Sequence, residues 1–394
     1  MSVFYLLMKP LYLGKPIGSE AALAATLGMS LEVLRDFSIS IDKKYSSFQI
    51  LKKNGKPRSI CSPNSDLKII QKRINRSIFE NIKYPDYLFG GIAGQDYVKN
   101  AKRHVGAKAL ITMDVCDFYP NIKIKIVEGI FQHFCKFPPA VAKLLAALTT
   151  LNGTVPQGAC TSSHLANLVF FDLEHRVVSD FKDKKLVYSR LLDDVCISSK
   201  ALIKPNDVIA VVNKVAALLT AKGFKIRKDK TRITSISNPE ELMEITGLWL
   251  NRGAPRAKPE DRKNIRAEMH RCEGKFLLSR TAPDYHKEHD SLSGRVAKLT
   301  YLEHHEAASY RDKLRAMLPH YNASEARKVM YLVDALERTS KSDRGKYSYI
   351  ERYHKLQHSI NILSRTESSI ARSLRLRMEK CSPTTTRDSL IYGE

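Results

Sequence analysis

The stretch YSRLLDDVCIS, residues 188–198, places two adjacent carboxylates, Asp193 and Asp194, inside an apolar run. A buried strand or hairpin is predicted by the flanking apolar residues Leu191, Leu192, Val195 and Ile197. Burying one unpaired aspartate costs several kcal/mol, and two neighbouring like charges cost more. Two explanations are open: a bound divalent cation, or a surface turn that happens to contain Asp-Asp.

A second carboxylate, Asp114, ends another apolar stretch, ITMDVCDFYPNI (111–122), and the aromatic residues Phe118 and Tyr119 follow it. In phosphoryl-transfer sites, carboxylates of this kind converge on two Mg²⁺ ions about 3.5–4 Å apart. Mg²⁺ prefers carboxylate oxygens and keeps water or substrate phosphates as its other ligands. Either stretch alone says little, because Asp-Asp occurs by chance in many chains. Together they predict a Mg²⁺ site at the edge of an apolar strand pair.

Between the two carboxylate stretches lies TVPQGACTSSHLANLVF, residues 154–170. Pro156 restricts the backbone, and Gly158 allows another chain or a base to approach closely. The neutral amide of Gln157 can contact a template base or sugar. In isolation, an ordinary turn before a helix is the favoured explanation of Pro-Gln-Gly.

The composition predicts a polyanionic partner. The 394 residues include 65 Lys and Arg against 41 Asp and Glu, a formal net charge of +24. A globular protein this basic most often binds nucleic acid. A merely basic soluble protein is one alternative, and a membrane-surface protein is a weaker one because no lipidation motif is visible. Seven scattered cysteines without C-x-x-C argue against a zinc site and suit a reducing cytoplasm. With no signal peptide and no bilayer-spanning stretch, we expect a cytoplasmic protein that does not engage a membrane.

The pattern along the chain predicts helices first, a mixed middle and a basic helical end. Residues 19–37 predict two short helices separated at Gly28, and residues 48–61 predict a hairpin with an Asn-Gly turn at 54–55. The further expected elements are a helix from about Ser65, a strand at 109–116, helices at about 161–178 and 205–222, and a basic strand–turn–strand in FKIRKDKTRI (224–233). From residue 256 onward the pattern is mostly helical.

The order of these stretches resembles the palm of reverse transcriptases. Asp114 stands where their motif A has its aspartate, Pro156-Gln157-Gly158 resembles motif B, and Asp193-Asp194 resembles motif C. GFKIRKDK (223–230) is similar to motif D, MEITGLWLN (243–251) to the primer-grip hairpin, and KKNGKPRSICSPNSDLKIIQKRI (52–74) to the fingers. The resemblance covers roughly residues 45–320.

Finer features resemble the retron branch of that family. Asn100-Ala101-x-x-His104 is similar to the retron N-A-x-x-H motif, and Thr246-Gly247 resembles V-T-G with Ile245 in place of valine. SLSGRVAKLTYL (291–302) is similar to the retron thumb. The resemblance implies a bacterial enzyme that copies part of its own structured noncoding RNA from dNTPs, starting on a guanosine 2′-hydroxyl. It also implies a branched RNA–DNA hybrid product and an effector protein encoded nearby, acting in antiphage defence.

The fold that this resemblance implies is α+β, a right-hand polymerase with a palm of antiparallel sheet plus helices. We expect N-terminal helices and fingers in residues 1–107 and the palm, with part of the fingers, in 108–250. A helical thumb is expected in 251–322 and a helical C-terminal extension in 323–394. A higher-order oligomer is left open.

The resemblance also implies residue roles at the active site. The catalytic metal ligands are Asp114, Asp193 and Asp194, and Val115 is a further metal-binding position. The expected dNTP-binding residues are Lys56, Arg58, Phe118, Tyr119, Gln157 and Lys230. A lysine and a forked arginine suit a triphosphate, although a solvated hairpin face also accounts for Lys56 and Arg58. One of the two aromatics presses on the sugar and the other is core, and Lys230 is either the acid for pyrophosphate or a salt-bridge partner.

The expected RNA-binding residues lie in three places: Asn100 and His104, then Thr246 and Gly247, then Arg372, Arg375 and Arg377. A histidine near a helix end is often only structural. The C-terminal helices that carry the arginines could equally dock on the thumb or on a partner.

Two departures from the family pattern keep alternatives open. Leu191 stands where the family has the tyrosine of Tyr-x-Asp-Asp, and Arg227 replaces a common asparagine. Loss of the tyrosine predicts reduced activity or fidelity, and the intact carboxylates argue against a dead enzyme. One alternative is another bacterial defence reverse transcriptase that makes untemplated or repetitive DNA. The other, suggested by Leu191, is a noncatalytic RNA-binding scaffold.

Overall fold

The structure, a computed structural model, describes residues 8–51, 55, 57–238 and 240–392. It divides into two compact units, Met1–Pro255 and Arg256–Glu394. The strands of the first unit are β1 (Leu11–Tyr12), β2 (Tyr45–Leu51), β3 (Pro57–Pro63), β4 (Ile82–Lys83), β5 (Leu88–Phe89), β6 (Ala109–Asp114), β7 (Leu186–Leu191), β8 (Asp194–Ser199), β9 (Arg232–Ser235), β10 (Glu244–Ile245) and β11 (Leu248–Trp249). Its helices are α1 (Glu20–Thr26), α2 (Leu31–Ile39), α3 (Ser65–Ser77), α4 (Tyr97–Lys102), α5 (Phe118–Asn121), α6 (Ile124–Gly129), α7 (Pro139–Thr149), α8 (Ser162–Leu168), α9 (Glu174–Asp183) and α10 (Pro205–Thr220).

The predicted pair of short N-terminal helices is confirmed. Ser19 caps α1 by accepting a hydrogen bond from the Ala22 N–H, and Ser30 caps α2 in the same way. Gly28 lies between them with φ +59°, a left-handed conformation that ends a helix at little cost to glycine. The interruption of the helical pattern at Gly28 therefore corresponds to the end of a helix.

The predicted hairpin and the helix after it are also confirmed. β2 and β3 pair antiparallel over their whole length, from Tyr45 opposite Pro63 to Leu51 opposite Pro57. Asn54 of the predicted turn lies outside the described residues. Helix α3 follows at once because the Asn64 side chain accepts the Leu67 N–H at 2.9 Å.

The central sheet positions the candidate site. Within the described residues, five strands pair in the order β5-β7-β8-β6-β9, with β5 parallel to β7 and the remaining neighbours antiparallel. Apolar residues of β6 and β8 join one hydrophobic cluster with residues of α7, α8 and α10. The register sets Asp194 opposite both Asp114 and Leu191, so β6, β7 and β8 meet at one edge of the sheet. The α+β class is confirmed.

The single helix expected at about 161–178 is wrong, because two helices occupy this segment. Helix α8 ends at Leu168 and α9 begins at Glu174. The Arg190 guanidinium donates to the carbonyls of Ala166 and Asn167, at 3.2 and 3.0 Å. A continuing helix would pair those carbonyls with N–H groups four residues ahead. Arg190 is distant in sequence and therefore does not contribute to the local periodicity, but its side chain stabilises the end of α8.

The strand–turn–strand expected at 224–233 is also only partly correct. Ile226 forms an isolated bridge with Val115, Lys228–Lys230 is a short 3₁₀ helix, and β9 follows. The Arg227 N–H donates to the Asp114 carbonyl at 2.8 Å. This pairing holds the segment beside the end of β6 and brings Lys230 to the aspartates.

The second unit is helical apart from β12 (Arg256–Ala257). Its helices are α11 (Pro259–Leu278), α12 (Pro283–Tyr301), α13 (Ala307–Ala316), α14 (Ala323–Glu337), α15 (Tyr347–Leu363), α16 (Ser368–Lys380) and α17 (Arg387–Tyr392). One hydrophobic cluster draws its buried residues from 257–317, and a second draws them from 326–381. Between them, Asn322 and Glu325 form a capping box at the start of α14. The boundary between thumb and extension at residue 322 stays a prediction.

Two general properties concern the whole described chain. Within it, no helix combines the length and apolar character needed to cross a bilayer. All seven cysteines are free thiols.

Candidate active site

The three predicted aspartates lie at the same edge of the sheet. Asp114 is the last residue of β6 and is paired with Asp194, the first residue of β8. Asp193 is the second residue of the two-residue turn that joins β7 to β8. The Val115 N–H donates to the Asp193 carbonyl at 3.0 Å, which fastens the turn to the end of β6. Residues 79 positions or more apart in sequence therefore share one site because the strands are paired.

The electrostatics of this edge favour a cation. Burial, together with the negative charges of Asp193 and Asp114, raises the pKa of Asp194 to about 7. Burial also raises the pKa of Asp193, with Asp114 contributing. Facing like charges on adjacent strands destabilise a sheet. A bound cation would relieve this repulsion.

The donor set fits a hard divalent metal. Three carboxylates offer only oxygen ligands, which Mg²⁺ prefers. In this conformation their ligand atoms do not all lie within 4.8 Å of one another. Lys230 Nζ instead lies 2.6 Å from Asp114 Oδ2, so a lysine ammonium supplies the positive charge there. Val115 has a hydrocarbon side chain, so only its backbone carbonyl could act as a metal ligand.

The structure separates the two aromatics that the sequence left open. Phe118 is 3% exposed and packs against the rings of Phe170 and Phe224, so it is the core residue. Tyr119 is half-buried, and burial raises its pKa to about 12, with Asp193 adding to the rise and Arg58 opposing it. Tyr119 therefore lies near both charged groups, and its contact with the sugar stays a prediction.

The hairpin residues expected to grip a triphosphate are only partly described. Arg58 is an exposed residue of β3, and its charge reaches Tyr119 and Asp193. Lys56 lies outside the described residues. The role of both residues stays a prediction.

The Pro-Gln-Gly loop contacts strand β3 of the hairpin. The Cys61 N–H donates to the Gln157 carbonyl at 2.9 Å. Gly158 has φ +120°, and a Cβ placed on it would lie 2.8 Å from the Cys61 carbonyl oxygen. We expected a second chain or a base to approach this glycine, but the close neighbour is the protein's own hairpin. The half-buried Gln157 side chain stays a candidate nucleotide contact.

Helix α3 holds the same loop from its other side. Gln71 accepts the Cys160 N–H at 3.2 Å, and Asn75 donates to the Cys160 carbonyl at 2.9 Å. Gln71 is fully buried and also donates to the hydroxyl of Tyr45 at 2.7 Å. Hairpin, helix and loop are therefore one hydrogen-bonded assembly.

The expectation that Asn100 and His104 contact RNA directly is not supported by their position. Both are buried, at 0% and 1% exposure, and offer no surface to a nucleic acid. The Ser189 hydroxyl donates to Asn100 Oδ1 at 2.6 Å, so His104 Nε2 donates to Ser189 and Nδ1 accepts from Ser198, both at 2.7 Å. Burial lowers the pKa of His104 to about 3, in agreement with a neutral ring. The motif joins α4 to strands β7 and β8.

The residues of the Thr-Gly motif form the turn between β10 and β11. Thr246 has φ +47° and Gly247 φ +82°, the left-handed pair typical of a two-residue hairpin turn. A β-branched residue rarely adopts this conformation. The Thr246 hydroxyl lies 3.5 Å from the Tyr97 carbonyl at the start of α4. The two retron-like motifs are therefore neighbours in space.

The three C-terminal arginines differ in their surroundings. Arg377 pairs with both Asp334 and Glu337 on α14, so its charge is compensated within the unit. Arg375 donates to the Asn361 side chain at 3.0 Å. Arg372 is exposed and has no hydrogen-bond or ion-pair partner in the part of the chain that the structure describes. Among the three, Arg372 is the most available to an RNA phosphate.

A buried ion pair next to the aspartates was missed by the sequence interpretation. Arg190 and Glu174 are 1% and 2% exposed, and their side chains meet at 2.6 Å. The available signal was an arginine inside a strand of otherwise uncharged residues. Its partner, 16 residues earlier, could not be recognised without the tertiary structure.

A cluster in the second unit has metal-ligand spacing but unsuitable charge. Ligand atoms of His304, His305 and Glu306 lie within 4.8 Å of one another. Glu306 is already bound by Arg266 at 3.0 Å and by the Tyr310 hydroxyl at 3.0 Å. The positive charges of Arg256 and Arg262 also act on His304. We assign no metal to this cluster.

Comparison with known proteins gives a consistent result. The reverse transcriptase (RNA-dependent DNA polymerase) family matches residues 50–277. Retron Se72 reverse transcriptase of Salmonella heidelberg (strain 579083-10) is 33% identical over 382 residues, which cover 95% of this chain and 99% of that protein. Retron Ec48 reverse transcriptase of Escherichia coli is 31% identical over 370 residues, covering 90% and 89%. The solved structure of a telomerase from Candida albicans, in complex with a TWJ fragment of telomeric RNA, has a TM-score of 0.40 at 10% identity. The match covers 92% of this chain and 68% of the telomerase, and a score this low supports no conclusion about function.

Proposed function

Because this chain belongs to the reverse transcriptase family and to its retron members, we propose that it copies part of its own structured noncoding RNA into single-stranded DNA. The chain is an RNA-directed DNA polymerase with the α+β fold of a right-hand polymerase. The observation that carries the proposal is the meeting of Asp114, Asp193 and Asp194 at one edge of the central sheet. Their like charges need a cation, and their oxygens suit the divalent metals that this family uses.

We propose Mg²⁺ as the metal, held by the three aspartates and the backbone of Val115. When bound, two Mg²⁺ ions would lower the pKa of the attacking hydroxyl and stabilise the leaving pyrophosphate. The chain supplies the ligand oxygens and must free Asp114 from Lys230. The Lys230 side chain is 53% exposed, so it can leave Asp114 and donate a proton to the pyrophosphate.

Other side chains would position the incoming nucleotide. Tyr119 lies near Asp193 and Arg58, where its ring can press on the sugar and exclude a 2′-hydroxyl. Arg58 on β3 would bind the triphosphate, because a forked guanidinium matches phosphate oxygens. Lys56, which lies outside the described residues, would add a point charge for the same phosphates. Gln157, on the loop fixed against that hairpin, would contact the template base or sugar.

RNA binding would use basic residues on the surface. The retron-like motifs would hold the elements beneath that surface in place. The formal net charge of +24 favours a polyanion. Arg372 and Arg375 are exposed on α16 and can bind phosphates, whereas Arg377 would first have to leave its two acidic partners. Asn100 and His104 would act by holding α4, whose first residue meets the hairpin turn of Thr246 and Gly247.

The product would be a branched hybrid, because the first nucleotide is joined to a 2′-hydroxyl of the RNA. The test is to isolate nucleic acid that copurifies with the protein after expression with its flanking noncoding sequence. RNase should speed migration on a denaturing gel, DNase should remove the DNA portion, and a 2′–5′ debranching enzyme should separate the strands. DNA that is RNase-insensitive and attached to a protein side chain would overturn the priming proposal. Repetitive DNA without an RNA template would favour the alternative defence enzyme.

We also propose a role in antiphage defence with an effector protein encoded nearby. The support is membership of the retron branch. The test is a phage challenge of cells carrying the flanking genes, with the Asp193→Asn, Asp194→Asn variant as control. Protection that survives this variant would separate defence from DNA synthesis. Size-exclusion chromatography with light scattering on the intact complex would determine whether it forms a higher-order oligomer.

A further inference from the structure

An ion pair is buried directly beneath the turn that carries Asp193. Arg190, the second-last residue of β7, is bound by Glu174 in a two-point arrangement. Nε lies 2.6 Å from Oε1, and Nη2 lies 2.8 Å from Oε2. The Tyr188 hydroxyl also donates to Glu174, at 2.7 Å. The guanidinium is therefore fixed in position and orientation.

The remaining N–H groups of Arg190 bind three backbone carbonyls. Nη1 donates to Ala166 at 3.2 Å and to Leu192 at 3.1 Å, and Nη2 donates to Asn167 at 3.0 Å. Ala166 and Asn167 belong to the last turn of α8, whose carbonyls need partners from outside the helix. Leu192 and Asp193 form the turn between β7 and β8, which we call the catalytic turn. One side chain thus joins the catalytic turn to the helix that follows the Pro-Gln-Gly loop.

The turn needs such a restraint because its backbone is strained. Leu192 has φ +58°, a left-handed conformation in which the Cβ of a leucine crowds the following carbonyl oxygen. Conformations of this kind persist where the surroundings determine them from several sides. Gly90 packs against Leu192 from one side, since a Cβ on Gly90 would lie 3.0 Å from Leu192 Cγ. Arg190 binds the Leu192 carbonyl, which belongs to the peptide bond that joins Leu192 to Asp193.

We propose that Arg190, held by Glu174, is a positioning residue that fixes the backbone of the catalytic turn against α8 and so sets the position of the Asp193 carboxylate. This inference goes beyond the proposed function and rests on Asp193 being a metal ligand. Stability alone does not explain the pair, because well-packed apolar residues often replace a buried ion pair without loss. An arginine that binds a carboxylate and three carbonyls at once supplies a geometry that apolar residues cannot.

The experiment compares three variants of the full chain. Arg190→Lys keeps the charge beside Glu174 but loses the forked donor. Arg190→Met with Glu174→Leu removes both charges together, so no uncompensated charge stays buried. Tyr188→Phe is the matched control, because it removes a hydrogen bond to Glu174 and leaves the bond from Arg190 to Leu192 intact. For each protein we would measure thermal unfolding, kcat and KM for dNTPs on a primed RNA template, and Mn²⁺ affinity of the nucleotide-free protein by electron paramagnetic resonance.

The expected result is a loss of kcat and of Mn²⁺ affinity, each by roughly 10- to 100-fold, in both Arg190 variants, as for other groups that orient metal ligands. Tyr188→Phe should keep both quantities within about twofold of wild type, since it leaves the positioning bond in place. Folded Arg190 variants with wild-type kcat and Mn²⁺ affinity would overturn the proposal. Equal losses in Tyr188→Phe, or failure of both Arg190 variants to fold, would also overturn it by showing a purely structural role. A wild-type protein that makes no DNA would remove the proposed function, while Mn²⁺ affinity would still test the positioning role.

Discussion

The ammonium of Lys230 lies 2.6 Å from Oδ2 of Asp114, although 116 residues separate the two positions. Asp114 ends strand β6 of the central sheet, and Lys230 ends the short 3₁₀ helix that lies beside it. The lysine ammonium thus occupies the side of Asp114 on which the proposed metal ion would bind. We propose that the same lysine neutralises Asp114 in the absence of metal and meets the pyrophosphate during the reaction.

Lys230→Met should therefore lower kcat by roughly 10²- to 10⁴-fold, the usual contribution of a general acid, with a smaller effect on KM for dNTPs. Stability should change by less than about 1 kcal/mol, because a half-exposed ion pair contributes little. Steady-state primer extension and urea unfolding measure the two effects. Lys228→Met removes an exposed lysine from the same 3₁₀ helix and should leave kcat unchanged. Equal activity of the Lys230 variant and wild type would assign Lys230 to a salt bridge alone.

Asp193→Asn combined with Asp194→Asn should reduce DNA synthesis by roughly 10³-fold or more, because neutral amides cannot hold the metal ions. RNA binding should survive, since it depends on basic surface residues. Primer extension and filter binding measure the two properties. Asp117→Asn, which neutralises a 68% exposed carboxylate three residues after Asp114, is the control and should retain synthesis. Mg²⁺-dependent extension by the double variant would show that the site is assigned wrongly.

Leu191→Tyr should keep or raise activity, because it restores the family residue beside the primer end. The leucine is half-buried, and its Cγ lies 3.3 Å from where a Cβ on Gly90 would be. Leu191→Phe separates the size of the ring from the effect of the hydroxyl. Extension and misincorporation assays on all three proteins decide the matter. Complete loss of activity in both ring variants would show that the hairpin has no room for an aromatic residue.

Gly158→Ala should destabilise the protein by about 1–3 kcal/mol, because φ +120° is a conformation that only glycine adopts readily. The new Cβ would also lie 2.8 Å from the Cys61 carbonyl and push the loop from the hairpin. Gly153→Ala is the matched control. It has φ +70° with nothing within 4 Å, so strain alone should cost about 1 kcal/mol. Denaturant unfolding compares the two, and equal losses would contradict the close contact.

His104→Gln should destabilise the protein at neutral pH by about 1–3 kcal/mol, because Ser189 and Ser198 lose a partner of the right shape. Burial lowers the pKa of His104 in the folded state to about 3, so the unfolded state takes up its proton first as the pH falls. The free energy of unfolding of wild type should therefore exceed that of the variant by the full amount above about pH 6.5. This difference should shrink by about 2 kcal/mol between about pH 6.5 and about pH 5. Urea unfolding across this range measures it. The exposed His133, replaced by Gln, controls for loss of a histidine, and a constant difference for His104→Gln would contradict a neutral buried ring.

Local patterns were sufficient for much of the fold. The glycine break at Gly28 and the Asn-Gly turn signal of the hairpin depend on neighbouring residues, so α1, α2, β2 and β3 agree with their predictions. The helix expected at 161–178 failed because its interruption depends on Arg190, which lies some 20 residues farther along the chain. Periodicity contains no information about a partner at that distance.

The sequence by itself determined the chemistry of the site, because carboxylates at strand ends, in the order of the reverse transcriptase motifs, are a property of residue type and spacing. Tertiary structure alone decided which residues face that site. Phe118 is buried beside Phe170 and Phe224, whereas Tyr119 packs at the edge of the same hydrophobic cluster and stays half-buried. Asn100 and His104 became internal supports because β7 and β8 place serine hydroxyls against them. Burial and long-range pairing depend on the whole chain. For that reason a sequence motif identifies a residue but does not determine what that residue contacts.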